Sequence, residues 1–171
     1  ETAPAESVGT AYTLTDETVI GFEGYKVTGS HIGGFGKFDG AVTVPGTEIE
    51  AATIEVTIDM TSTYSDDSGL TTKLKGPDFF DVEQFPQASF VSTAIAPAED
   101  GYTVSGDLTL HGVTQNISFP ASIGIVDDTL IAEAEFTINR MDFGIEYAGM
   151  ADDLIKEKVV IRLDVEAVAG Y

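Results

Sequence analysis

Cysteine and tryptophan are absent from this chain of 171 residues, and only two histidines occur in it, His31 and His111. Without cysteine there is no disulfide framework, no thiolate nucleophile and no cysteine-ligated metal. Two histidines are too few for a multi-histidine metal centre. A metal site is therefore not expected.

Basic residues are scarce as well. Eight Lys and Arg stand against 29 Asp and Glu, which gives a net charge of -21. Such a surface repels phosphate backbones and anionic lipid head groups, so we expect neither nucleic-acid binding nor electrostatic docking to a membrane. A cationic partner is the minority alternative to a purely solubilising role for the acidic residues.

Long apolar runs are missing too, since none approaches the ~20 residues of a membrane-spanning helix. The chain has no phosphate-binding loop, no nucleophile elbow, no dinucleotide fingerprint and no paired His–carboxylate spacing. We therefore predict a protein that is not an enzyme and has no cofactor. The hydrophobic share of 43% is nevertheless large enough for a packed core.

What the chain does have is alternation with a period of two, which is typical of strands with one buried face. Thr53 to Met60 is an example, because Ile54, Val56 and Ile58 alternate with polar residues. Strands are predicted at residues 12–15, 19–27, 40–44, 53–60, 88–95, 102–110, 116–125, 132–138 and 159–167. No linker interrupts them, so one all-β antiparallel domain is predicted, either a sandwich or a barrel.

Two segments break the alternation. Residues 65–75 begin with N-capping residues, place Leu70 and Leu74 four apart and stop at Gly76-Pro77, which predicts a short helix that caps one end of a barrel. A second helical turn is predicted at residues 151–156. Residues 1–10 are small and polar and are expected to be a flexible leader that follows a removed export signal or a linker, with the barrel domain over residues 11–171.

Four motifs, in order along the chain, resemble those of the YceI-like, polyisoprenoid-binding family. They are G-G-F-G-K-F-D-G at residues 33–40, P-D-F-F-D at 77–81 followed by F-P and A-S-F, G-D-L-T-L-H-G-V-T at 106–114, and N-R-M-D-F-G at 139–144. Together they span nearly the whole chain. One family motif on the helix, R-D-x-H-L, departs from the pattern and reads L-T-T-K-L here, which weakens any head-group role inferred from it.

The resemblance implies a lipocalin-like barrel of about eight strands whose interior binds a long isoprenoid lipid, such as a polyprenyl lipid or a quinone tail. It also implies export to the bacterial periplasm or secretion. The alternative function is an interaction or carbohydrate-associated module with a filled barrel core. The oligomeric state is left open, a homodimer included.

Candidate ligand contacts are the apolar side chains on inward strand faces and the phenylalanines of the helix and turns. The predicted lining residues are Ile20, Phe22, Phe35, Phe38, Ile54, Val56, Ile58, Leu70, Leu74, Phe79, Phe80, Phe85, Phe90, Leu108, Phe136, Ile138 and Phe143. The candidate head-group contacts are Lys73, Arg140 and His111. For Arg140, at the inward end of a strand, a structural ion pair with Asp142 or another carboxylate is favoured over ligand binding.

Overall fold

Strands dominate the computed structural model, which describes residues 9–150 and 153–169. Within these residues it has one α-helix, α1 (Ser68–Lys75), and twelve strands. The strands are β1 (Gly9–Leu14), β2 (Val19–Lys26), β3 (Gly29–Phe35), β4 (Phe38–Pro45), β5 (Thr53–Asp59), β6 (Thr63–Ser65), β7 (Gln87–Ala98), β8 (Gly101–Leu110), β9 (Val113–Val126), β10 (Thr129–Asn139), β11 (Gly149–Met150) and β12 (Asp153–Ala169).

Eight of these strands form a closed antiparallel barrel in the order β1, β4, β5, β7, β8, β9, β10, β12. The ring closes because the end of β12 returns to β1, with Ala169 opposite Tyr12. The predicted all-β fold, an eight-stranded antiparallel barrel with one short helix, is confirmed. Closure removes the exposed sheet edges that an open sheet of this size would present.

The barrel has a three-stranded extension, β2–β3–β6, which we call the flap. It begins where β12 pairs with β2, from Ile155 opposite Lys26 to Asp164 opposite Val19, and continues through β3 to the short strand β6. One edge of β12 is therefore shared between two strands, β2 over its first part and β1 over its end.

Where β12 changes its partner from β2 to β1, the Thr18 hydroxyl and the Thr15 amide form hydrogen bonds with the backbone of Glu166. The Thr18 hydroxyl lies 2.9 Å from the carbonyl oxygen of Glu166 and 3.0 Å from its amide nitrogen. The Thr15 amide donates to the same carbonyl at 2.8 Å. Thr18 is only 5% exposed. Its hydroxyl thus replaces the strand partner that Glu166 would otherwise lack, as buried backbone groups require.

Alternation decides which side chains enter the barrel. Along β10, Ala132, Ala134 and Phe136 alternate with exposed Glu133 and Glu135. Inward residues form two buried clusters, one at each end of the barrel. The cluster at the helix end centres on Met60, Leu74, Phe143 and Ile145, and the one at the opposite end on Val44, Val104, Leu130 and Ala167.

Helix α1 begins with Asp67, whose carboxylate accepts a hydrogen bond from the Gly69 amide at 2.9 Å, the usual N-cap arrangement. It ends at Gly76 and buries Leu74 in the helix-end cluster. The predicted helix is therefore present, although it starts at Ser68 because Ser65 belongs to β6.

The glycine-rich segment at 33–40 is not only a turn. Gly33 and Gly34 lie in β3, a strand that was not predicted, and Gly36 follows it before β4 begins at Phe38. A Cβ at Gly33 would collide with the Tyr64 carbonyl oxygen and would lie 2.6 Å from the Phe22 ring. Glycine is needed here because β6 and Phe22 approach the β3 backbone closely.

The second predicted helical turn is wrong for residues 153–156, which belong to β12. A bulge between Ile155 and Val159 disturbs the alternation there, and the sequence pattern therefore does not indicate a strand over these residues. Residues 151 and 152 lie outside the described residues, as do residues 1–8 of the predicted leader. Strand β1 begins at Gly9, so residues 9 and 10 lie in the sheet.

Gly33→Ala should lower the free energy of unfolding by about 1–3 kcal/mol, because the added methyl overpacks the contact with Phe22 and Tyr64. Gly24→Ala is the matched control: it lies in the neighbouring strand β2, and nothing lies within 4 Å of a Cβ there. Thermal or urea unfolding monitored by circular dichroism measures both. Equal stability of the two variants would contradict the close approach of β6 to β3.

Candidate ligand-binding cavity

A cavity of about 640 Å³ lies inside the barrel and reaches from one buried cluster to the other. This volume falls within the ~300–1,000 Å³ that is common for small-molecule sites. Its wall is mostly apolar and includes inward residues of all eight barrel strands. An elongated apolar molecule fits such a space better than a polar one.

Phenylalanines in two groups shape the cavity. Phe119 belongs to the cluster opposite the helix, and its ring centre lies 4.2 Å from that of Phe136 in a stacked pair and 5.8 Å from that of Phe90. Gly106 leaves room for Phe90, because a Cβ at Gly106 would meet that ring. Small inward residues such as Ala134 separate the bulky ones, so the barrel is not filled by its own side chains.

The second aromatic group consists of rings from the flap, from the segment that follows α1 and from Tyr147. Phe22, Phe35 and Phe80 form a triangle with ring centroids 5.5–6.1 Å apart. Phe79 meets Tyr147 edge-on at 5.4 Å. These rings link the flap to the segment that follows α1.

Most predicted lining residues lie on the cavity wall. They are Ile20, Phe22, Phe35, Ile54, Val56, Ile58, Leu70, Leu74, Phe79, Phe80, Phe90, Leu108, Phe136 and Ile138. The other three lie elsewhere. Phe38 pairs with Ile58 across β4 and β5 and is half-buried, Phe85 packs on the His111 ring at 4.7 Å, and Phe143 is 1% exposed in the helix-end cluster.

Several wall residues were not predicted. Val42, Val104 and Phe119 lie on the inward faces of β4, β8 and β9, where strict alternation could have indicated them. Ile145 and Tyr147 lie in a segment without regular structure between the turn after β10 and β11, and no pattern marks them.

Polar side chains gather at the helix end of the cavity, which we call the mouth. It is bordered by Lys26 and His31 of the flap, Asp67 at the N-cap of α1, Lys73 of α1, Tyr147 and Lys156. The Lys73 ammonium lies 3.4 Å from the Tyr147 hydroxyl oxygen, 4.4 Å from the centre of that ring and 3.8 Å from an Asp78 carboxylate oxygen. Lys73 is therefore at the mouth and already has protein partners.

A polar contact joins the flap to the segment that leads into α1. His31 Nδ1 lies 2.8 Å from Asp66 Oδ1, and the Ile32 amide donates to Asp66 Oδ2 at 3.0 Å. The Ile32 amide, followed by His31, lowers the pKa of the Asp66 carboxyl. The Asp66 carboxylate therefore connects β3 of the flap to the segment that leads into α1.

Arg140 is 5% exposed, and its guanidinium donates to three backbone carbonyls. Nε reaches the Lys156 oxygen at 2.9 Å, and the two terminal nitrogens reach the oxygens of Ile145 at 2.6 Å and Ile155 at 3.2 Å. Burial lowers the pKa of this guanidinium. The sequence favours a carboxylate partner such as Asp142, but these acceptors are carbonyls, so Arg140 ties the segment after β10 to β12.

His111 lies in the turn between β8 and β9 with a positive φ of 57°. Its Nδ1 is 3.0 Å from the carbonyl oxygen of Phe143, and its ring packs on Phe85. It is not among the residues of the cavity wall. A bond to a neighbouring turn, rather than a head-group contact, is the arrangement that the structure shows.

Among the described residues, no group of three or more His, Asp or Glu side chains is placed to hold a metal ion. The same residues include no helix long and apolar enough to cross a membrane.

A closed antiparallel barrel around an apolar cavity, with a helix and a flap at one end, defines a lipocalin-like architecture. The chain belongs to the YceI-like domain family, whose model matches residues 12–167. It is 34% identical over 157 residues to a UPF0312 protein of Pseudomonas putida strain W619, covering 84% of this chain and 81% of that protein.

Solved structures share the fold. BcnA of Burkholderia cenocepacia superposes with a TM-score of 0.80 at 25% identity, covering 89% of this chain and 97% of that one. A polyisoprenoid binding domain from Saccharophagus degradans, implicated in plant cell wall breakdown, has a TM-score of 0.75 at 17% identity and covers 93% and 98% of the two chains.

Arg140→Leu should destabilise the protein by about 1–3 kcal/mol, because the buried Ile145 carbonyl loses its donor and an unpaired buried group costs about that much. The part-buried carbonyls of Ile155 and Lys156 lose the same donor. Arg162→Leu is the control, since Arg162 is 46% exposed and pairs with Glu23 and Glu135 on the barrel surface; exposed pairs contribute about 0–1 kcal/mol. Urea unfolding measures both changes. An Arg140→Leu variant as stable as Arg162→Leu would show that the hydrogen bonds of Arg140 to the three carbonyls are not needed for folding.

Proposed function

We propose that this protein binds a long isoprenoid lipid, a polyprenyl lipid or a quinone tail, inside the barrel and so stores, transports or sequesters it. The observation that carries the proposal is the apolar cavity of about 640 Å³ between the two buried clusters. The description of the Saccharophagus degradans domain as polyisoprenoid binding supports the same ligand class.

The chemistry of the wall favours a hydrocarbon chain. Each buried methylene contributes up to ~0.8 kcal/mol, so a tail of several isoprene units gains more from the cavity than one polar contact supplies at the mouth. A polar ligand would leave its hydrogen-bonding groups unpaired against Phe119, Phe136 and their neighbours, which is costly. The tail, rather than the head, then accounts for most of the affinity.

The mouth is suited to a small, weakly charged head group. Arg140 already donates to three carbonyls, and Lys73 is shared between Tyr147 and Asp78. The net charge of -21 also opposes a diphosphate. We therefore propose that a neutral quinone head is accepted at least as well as a phosphate.

The alternative function, an interaction or carbohydrate-associated module, requires a barrel core filled by its own side chains. The cavity between the clusters argues against such a core. We further propose that the protein acts by binding and not by catalysis, and that it works in the periplasm or outside the cell, where a carrier for an insoluble lipid is needed between membranes.

Ala134→Phe should block the cavity and reduce isoprenoid binding by at least about tenfold, since a ring would replace a methyl on the inward face of β10 and displace ligand carbons. Glu135→Phe introduces the same ring on the outward face of the same strand and should leave binding unchanged. Mass spectrometry of organic extracts from the purified proteins measures bound lipid. Equal lipid in both variants, with both folded, would place the ligand outside the barrel.

Affinity should rise with the number of isoprene units, because each added unit buries more methyl and methylene groups. Titration of short and long quinones against prenyl phosphates of matching length, at low and high salt, measures this dependence. Binding that is independent of chain length, or restricted to phosphates, would show that the mouth governs recognition.

A further inference from the structure

A short irregular segment before β11 holds one tyrosine at the mouth of the cavity. The carbonyl oxygen of Ile145 accepts from Arg140 at 2.6 Å, and that of Ala148 accepts from the Ile155 amide at 2.9 Å. Tyr147 lies between these two fixed residues and lines the cavity. Because hydrogen bonds hold the backbone on both sides of it, the position of this residue is determined before any ligand enters.

The ring of Tyr147 has two further contacts. Phe79 meets it edge-on with 5.4 Å between the ring centres, and the Lys73 ammonium lies 4.4 Å from its centre. The same ammonium is 3.4 Å from the phenol oxygen. Since Phe79 is buried in the helix-end cluster, the tyrosine ring packs against a fixed part of the protein, and its hydroxyl is kept beside α1.

The hydroxyl of Tyr147 keeps a proton that a ligand can accept. A phenol donates one hydrogen bond and accepts others through its oxygen lone pairs, whereas a lysine ammonium donates only. In the contact with Lys73 the phenol oxygen is therefore the acceptor. Among the residues that the structure describes, no acceptor is found for the phenol proton itself. A cation at the oxygen polarises the O–H bond and makes the phenol a stronger donor.

The neighbouring polar side chains favour a neutral acceptor over an anion. His31 is bound to Asp66, and Lys73 lies 3.8 Å from an Asp78 carboxylate oxygen as well as beside the phenol. Lys156 is exposed, so its ammonium is hydrated by solvent. The two carboxylates add negative charge near the opening and oppose an anionic head group. A neutral head group with an acceptor oxygen avoids this repulsion and meets the phenol proton.

We propose that Tyr147 donates a hydrogen bond to a neutral acceptor oxygen of the ligand's head group, such as a quinone carbonyl, while the tail lies in the cavity. Lys73 is then a positioning residue, which binds the phenol oxygen and leaves the proton to the ligand. The assignment rests on the proposed function, which supplies the tail. It adds a specificity for the head group, because an acceptor is bound more tightly than a bare hydrocarbon of the same length.

Tyr147→Phe tests the assignment, because it removes the hydroxyl and keeps the ring. Binding of a polyprenyl quinone should weaken by about two- to tenfold, the contribution of one neutral hydrogen bond, whereas a polyisoprenoid hydrocarbon of matching length should bind with unchanged affinity. Tyr64→Phe is the matched control and should change neither affinity, since Tyr64 is 47% exposed on the flap and is not among the residues of the cavity wall. Quinone affinity of Tyr147→Phe equal to that of the wild type, or an equal loss for both ligands, overturns the proposal.

A second variant separates the phenol from the ammonium beside it. Lys73→Met removes the ammonium and leaves the phenol proton, so it should weaken quinone binding less than Tyr147→Phe does. An equal or larger loss would make Lys73 the contact to the head group and would contradict the assignment.

Infrared spectra of the bound quinone measure the hydrogen bond directly. Its carbonyl band should lie at lower frequency in the wild type than in Tyr147→Phe, because a hydrogen bond weakens the C=O bond; a purely structural role of the tyrosine would not produce this difference. An identical band in both proteins would show that Tyr147 does not donate to the quinone. If the wild type binds neither quinone nor hydrocarbon, the proposed function fails, and this assignment fails with it.

Discussion

The structure depends on how strand β12 divides its two edges. One edge pairs with β10 along eleven residues, and the other pairs first with β2 and then with β1. Pairing with β1 closes the barrel around the cavity, whereas pairing with β2 attaches the flap, whose residues Ile20, Phe22 and Phe35 line part of the same cavity. The change of partner leaves Glu166 without a paired strand residue on this edge. Its amide donates to the Thr18 hydroxyl, and its carbonyl accepts from that hydroxyl and from the Thr15 amide.

An interior that is closed but not filled has a thermodynamic consequence. Unfilled volume in a core costs stability, because the lining atoms lose contact partners. Here the buried side chains form two clusters, and a cavity of about 640 Å³ remains unfilled inside the barrel. A ligand that fills the middle restores those contacts in the folded state alone, so occupancy stabilises the fold. Under the proposed function, loading would therefore be coupled to stability.

Alternation in the sequence was sufficient to predict most barrel strands and a part of the cavity wall, since a side chain on the inward face of a closed barrel must line its interior. The N-capping residues that begin segment 65–75, the spacing of Leu70 and Leu74 and the stop at Gly76-Pro77 were likewise sufficient for the helix. The strand β3 was missed because its glycines resemble turn residues, and only the close approach of Tyr64 and Phe22 explains them. The partners of Arg140 could not be predicted, because backbone carbonyls carry no sequence signal.

Because the chain has only eight Lys and Arg, the position of each one is informative about its role. Arg140 holds the segment after β10 against β12, Arg162 neutralises Glu23 and Glu135 on the wall, and Lys73 covers Tyr147 at the mouth. Each of the three therefore holds parts of this chain together. Carboxylates stand beside basic residues at the helix end as well, where Lys73 lies 3.8 Å from an Asp78 carboxylate oxygen.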